Sequence, residues 1–140
     1  MAFTRPDTAT SDMINHLKAM PLVDPAAIAA LADMMDEESQ HKVISQLIMD
    51  IKTNHQTIQE ALVTQDIKTL AAAAHRFKTL AGTFGLPAIA AAAHHADDAG
   101  RQDDQAAIYF LVQWMESQLP EAVIFFKGHL DRLSSDTDMK

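Results

Sequence analysis

The chain has 140 residues, 48% of them apolar, and a formal net charge of −8. This is the length of one domain with enough apolar side chain for a continuous core, which excludes wholesale disorder, and the acidic balance argues against binding nucleic-acid phosphates. With no cysteine, disulfides, thiolate metal sites and cysteine nucleophiles are excluded together.

Only four glycines and five prolines occur, alanine, leucine and methionine abound, and no alternation of period two is visible. These features predict an all-α chain. In an N-terminal arm, residues 1–23, Met13, Ile14, Leu17 and Met20 recur at helical spacing. They predict a short helix that packs on the body of the protein rather than serving dimerisation. Asp24 followed by Pro25 is a helix start, with Asp24 as cap and Pro25 in the first helical position, and this helix reaches about Met35. Asp36, Glu37 and Glu38 suit the first turn of a long helix. Its stripe is Ile44, Leu47, Ile48, Ile51, Ile58 and Leu62, with His55 in line as a core or boundary histidine. Thr64, Gln65 and Asp66 end it, and Asp66 can cap the next helix, from about Ile67 to Phe84. Gly85 is placed to end that one, and Pro87 opens another from about Leu86 to Ala99, closed by Gly100. Asp103 or Asp104 starts a last long helix with the stripe Ile108, Leu111, Met115, Leu119, Val123, Phe126 and Leu130, which Pro120 is expected to kink or interrupt. Residues 134–140 read as a disordered tail. Residues 24–133 then form an up-and-down antiparallel four-helix bundle with short additional N-terminal helices, because short loops favour antiparallel neighbours.

The helix from Ile67 carries the chemistry. Leu70, Ala73, Ala74, Phe77, Leu80, Ala81 and Phe84 make one buried stripe. At about 100° per residue, His75 points roughly 160° away from Phe77 and therefore faces solvent. Its neighbours on that face are Lys68, Ala71, Ala72, Lys78, Thr79 and Gly82. Most are small, so a large partner surface could approach the ring. From Ile67 to Ala96 there is no Asp or Glu, whereas Lys68, Arg76 and Lys78 are basic. A cationic patch around an exposed imidazole suits a phosphoryl group, which brings about −1.5 to −2 charge. A free imidazole titrates near pH 6.5, so much of it is neutral and nucleophilic at pH 7. An exposed histidine is ordinarily only a solvated one. The small surround, the acid-free stretch and Lys78 set this one apart.

The run Ala74-His75-Arg76-Phe77-Lys78-Thr79-Leu80-Ala81-Gly82-Thr83-Phe84-Gly85-Leu86 resembles the signature of histidine phosphotransfer (HPt) domains. Ile89, Ala93, Ala96, Asp97, Gly100 and Arg101 extend the likeness, and the helix order from Asp24 to Leu133 is similar to the family's bundle. The resemblance implies a phosphoryl carrier of two-component phosphorelays with neither an ATP site nor kinase activity. His75 would take a phosphoryl group from a receiver-domain aspartate and pass it to another. Lys78 would neutralise charge. Ala71, Ala72, Thr79 and Gly82 would form the receiver docking face. Thr79 stands where the family usually has glycine. It could narrow partner choice, offer its hydroxyl to the phosphoryl group, or mark a module that binds and sequesters a receiver without transfer. The implied partners are the receiver domains of a hybrid histidine kinase and of a response regulator. No cofactor is expected on this chain, magnesium belonging to the receiver, and the protein is expected to be a monomer.

The remaining features are read as structural. Among the seven histidines, no pair has i, i+4 spacing, and His94 and His95 point about 100° apart, so no metal site is expected. Asp97, Asp98, Asp103 and Asp104 lack the calcium-loop pattern and read as helix-end solvation and capping. No run of about 18 apolar residues exists, and Met1–Thr10 lacks the apolar core of a secretory signal. A cytoplasmic protein without membrane or nucleic-acid contact is therefore expected.

Overall fold

Aspartates set most of the helix starts. In a computed structural model, which describes residues 3–138 and their side chains as far as 134, Asp7, Asp24, Asp36 and Asp66 accept hydrogen bonds from the backbone N–H of Thr10, Ala26, Ser39 and Thr69 at 2.8, 3.0, 2.7 and 3.2 Å. They open α1 (Thr8–Lys18), α2 (Pro25–Met34), α3 (Glu37–Thr64) and α4 (Ile67–Thr83). Asp104 does the same for α6 (Gln105–Asp138), accepting from the Ala107 N–H at 3.2 Å. Only α5 (Pro87–Arg101) starts without a side-chain cap, and there Pro87 supplies the preset first-turn backbone. Each cap satisfies a donor that the helix itself leaves unpaired. The chain reverses at Gln65, Gly85 and Asp103, which hold φ of 55°, 70° and 54°.

The helices α3 to α6 form the bundle. Loops of two or three residues join them, so consecutive helices run antiparallel, and α6 closes the ring against α3. The core is built from the expected stripes: Ile44, Leu47, Ile51 and Ile58 of α3, Leu70 and Phe77 of α4, Ile89 of α5, and Leu111, Met115, Leu119 and Phe126 of α6 are all buried. α1 packs on α5 and α6 through buried Leu17, and α2 packs on α3. His55, half-buried, meets Glu116 of α6 at 2.6 Å.

Three expectations need correction. α6 passes through Pro120 without interruption and continues through 134–138, where a disordered tail is expected; residues 139–140 lie outside the described residues. The ring of Pro120 is exposed while Leu119, Ala122 and Val123 on either side are buried. Burial of those neighbours holds the helix together against a local cost of about 3 kcal/mol. Gly100 does not close α5: the helix continues to Arg101, and Asp103 takes the left-handed turn instead.

Candidate functional site

Seven small buried side chains decide how closely α4 and α5 approach. Ala73, Ala74 and Ala81 of α4 and Ala88, Ala92, Ala93 and Ala96 of α5 are each at most 2% exposed, and these two helices share the most extensive contact in the bundle. An interface of alanines lets two helix backbones pack at short separation. A short side chain on α5 can therefore reach over to the exposed face of α4, and Asp97 does so.

His75 stands on that face with its side chain 75% exposed. Its Nδ1 lies 3.3 Å from Oδ1 of Asp97. The other carboxylate oxygen, Oδ2, accepts a hydrogen bond from Nζ of Lys78 at 3.1 Å. Arg101, one turn along α5, brings Nη1 to 3.6 Å from the same oxygen. The hydrogen bond from Lys78 holds the Asp97 carboxyl below the ordinary carboxylate range; the bond to His75 and the charges of Lys78 and Arg101 act in the same direction, against partial burial. An ionised carboxylate only accepts hydrogen bonds, so the proton of a neutral His75 belongs on Nδ1. The lone pair is then on Nε2, which has no partner among the described residues.

The residues expected to surround His75 divide into two groups. Ala72, Thr79 and Gly82 are exposed beside it, Lys78 is half-buried on the α5 side, and Ala71 leans half-buried against the core. A Cβ placed on Gly82 would meet nothing within 4 Å, so the bundle's own packing does not require glycine there. On the side away from α5, a shallow groove runs between α3 and α4, lined by Val43, Leu47, Leu80 and Phe84 with Lys42, Gln46 and Asp50 at its edges. Its residues on the α4 side, Leu80 and Phe84, belong to the stripe turned away from His75, so the groove is separate from the histidine face.

Asp97 corrects the reading of its acidic cluster. Asp104 is a cap and Asp98 pairs with Arg101 and, at 3.3 Å, with His94, but Asp97 is neither a cap nor helix-end solvation. The patch around His75 is accordingly not purely cationic: the acid missing from α4 arrives from α5. The signal in the sequence was the position of Asp97 next to buried Ala96 on the stripe that α5 turns toward α4.

The model of the Hpt domain family matches residues 42–134, about two thirds of the chain. The crystal structure of histidine-containing phosphotransfer protein B from Pseudomonas aeruginosa PAO1 superposes with a TM-score of 0.69 at 22% identity, covering 81% of this chain and 98% of that one. That likeness is one of fold. Among curated proteins, none matches the chain significantly. The family match spans the four bundle helices and includes the exposed histidine with its lysine one turn on, and so the chain belongs to the Hpt domain family, the histidine phosphotransfer modules of two-component phosphorelays.

Proposed function

We propose that the protein is a phosphorelay shuttle, taking a phosphoryl group on His75 from the aspartyl phosphate of a hybrid kinase's receiver domain and delivering it to the aspartate of a response regulator's receiver. The observation that carries this reading is the exposure of His75 on a face of small side chains, with Nε2 unpartnered and Lys78 beside it. In the accepting step the Nε2 lone pair bonds to phosphorus. The O–P bond of the acyl phosphate breaks, and its electron pair stays on the receiver's carboxylate. Lys78 is close enough to exchange its bond to Asp97 for the phosphoryl oxygens, offsetting their charge. Magnesium and most of the transition-state electrostatics belong to the receiver, and the bundle supplies position. Ala72, Thr79 and Gly82 form the centre of the receiver contact, with Ala71 at its margin. The Thr79 hydroxyl is a hydrogen-bond donor for the phosphoryl group. The protein acts in the cytoplasm as a monomer; no helix among the described residues is long and apolar enough to cross a membrane.

A second reading is favoured by Thr79 alone: its branched side chain, exposed one turn from His75, suits a module that binds a receiver and holds it without transfer. Incubation with a phosphorylated receiver separates the two. The shuttle predicts acid-labile, alkali-stable label on the wild type and none on His75→Gln, with unchanged circular dichroism because the side chain is exposed. Receivers that bind the protein but never label it would establish sequestration instead.

A further inference from the structure

A cleft with no residue of α4 in its lining lies between α1, α6 and the extended segment that precedes α1. Its volume is about 450 Å³, within the range of roughly 300–1,000 Å³ typical of small-molecule sites. Ile14 of α1 and Phe110 and Trp114 of α6 form its apolar wall, and Arg5 and Lys18 flank it. Trp114 is half-buried, whereas Arg5 and Lys18 are exposed. Gln113 and Ser117, one turn apart on α6, add an amide and a hydroxyl to the lining.

The charge of this cleft runs against that of the protein. The chain has 19 acidic residues against 11 basic ones, and no acidic residue lines the cleft. Glu116, beside it on α6, is taken up by His55 of α3, and Asp7 by the start of α1. Among the described residues no carboxylate pairs with Arg5 or Lys18. Lys18 has a structural reason for its place, because a cation in the last turn of a helix complements the helix dipole. Arg5 has no such reason, yet its segment is held at both ends. The Phe3 ring packs on Tyr109 of α6 with centroids 5.2 Å apart, Asp7 caps α1, and Pro6 fixes the backbone between them. Two cations with unused N–H donors beside an indole suit a ligand that carries both a flat ring and a negative charge. An inorganic ion would gain only two exposed charges, each worth little against water. A neutral ring would leave both cations unused. A ligand with both parts buries its ring on the indole and engages the guanidinium fork as well.

We propose that this cleft binds a planar aromatic anion, with its ring against Trp114 and its phosphate or carboxylate at Arg5 and Lys18. Nucleotides and aromatic carboxylates share that chemistry. No residue of the histidine face takes part, so the proposal stands apart from the relay reading.

Trp114 is the single tryptophan of the chain, so its indole N–H gives one NMR resonance that reports on the cleft directly. The full chain is titrated separately with adenosine monophosphate, naphthoate, adenosine and inorganic phosphate. At least one of the two aromatic anions should shift the resonance saturably, with a Kd at or below about 1 mM, and the tighter of them identifies the source as nucleotide or aromatic carboxylate. Adenosine and inorganic phosphate, each lacking one half of the ligand, should bind at least about tenfold more weakly than that anion. Arg5→Gln and Lys18→Gln should each raise its Kd by about threefold to tenfold. Both side chains are exposed, so circular dichroism should stay unchanged. Lys42→Gln, which removes a cation paired with Glu38 on α3, should leave the Kd where it is. A resonance that neither anion shifts saturably would overturn the proposal. So would a Kd that both Arg5→Gln and Lys18→Gln leave unchanged, or adenosine binding as tightly as the better anion.

Discussion

Gly82 is a position where the fold itself places no demand for glycine. It lies near the end of α4, exposed, with no atom within 4 Å of where a Cβ would stand. Alanine there should stabilise the free protein by about 0.5–1 kcal/mol, since glycine is a poor helix former. The same methyl group would stand on the face that we assign to the receiver. Gly82→Ala should therefore raise the urea midpoint and weaken receiver binding in titration. Equal receiver affinity would remove Gly82 from the docking face. The exposure of His75 and the small residues around it was legible from the helical wheel, because the direction of a side chain on a helix is a local property. The paired Asp97 was not, because that contact spans 22 residues of chain.

At the scale of elements, the turn between α4 and α5 sets the register of the site. Gly85 has φ of 70°, and its carbonyl accepts from the Asp24 N–H at 2.8 Å. A Cβ on Gly85 would overlap that of Ala27 in α2 and lie 3.3 Å from the Asp24 carbonyl oxygen. Sequence reading places a glycine here as a helix stop. The fold also makes it the seat of α2, so both backbone strain and overlap oppose replacement. Gly85→Ala should cost about 2–3 kcal/mol, measured by urea unfolding, and should lower transfer by shifting Asp97 relative to His75. Loss of less than about 0.5 kcal/mol would mean that α2 moves aside freely. Pro120 is the converse case. Its local preference is to break a helix, but α6 is buried on both sides of it, so packing overrides the preference.

Over the whole molecule, the pattern of carboxylates sets the response to acid. Hydrogen bonds from Thr10, Ser39 and Thr69 hold the cap residues Asp7, Asp36 and Asp66 below the ordinary carboxylate range. Lys78 does so for Asp97, and Arg101 for Asp98. A carboxylate whose folded value is depressed contributes stability above its unfolded value of about 4, and that contribution is lost as pH falls through the folded value. The urea midpoint should therefore fall first as pH drops through the ordinary histidine value, because burial opposes protonation of His129 in the folded state, and decline further below about pH 4 as the carboxylates protonate. A midpoint with no further fall between about pH 4 and pH 3 would show that these bonds contribute nothing to folding.

Composition and periodicity by themselves determined the all-α class, the cap residues Asp24, Asp36 and Asp66, the apolar stripes and the outward direction of His75. Each of these depends on residues within one or two helical turns, where backbone geometry leaves few alternatives. The tertiary structure alone decided that Asp97 lies beneath His75 and holds Lys78, that Gly85 seats α2, and that α6 runs through Pro120. These depend on how closely helices approach and in what register, which the volumes of side chains on separate elements settle together. The close α4–α5 interface is the clearest instance: its alanines look like ordinary helix formers in the sequence, and only their mutual burial brings a short acidic side chain to the imidazole.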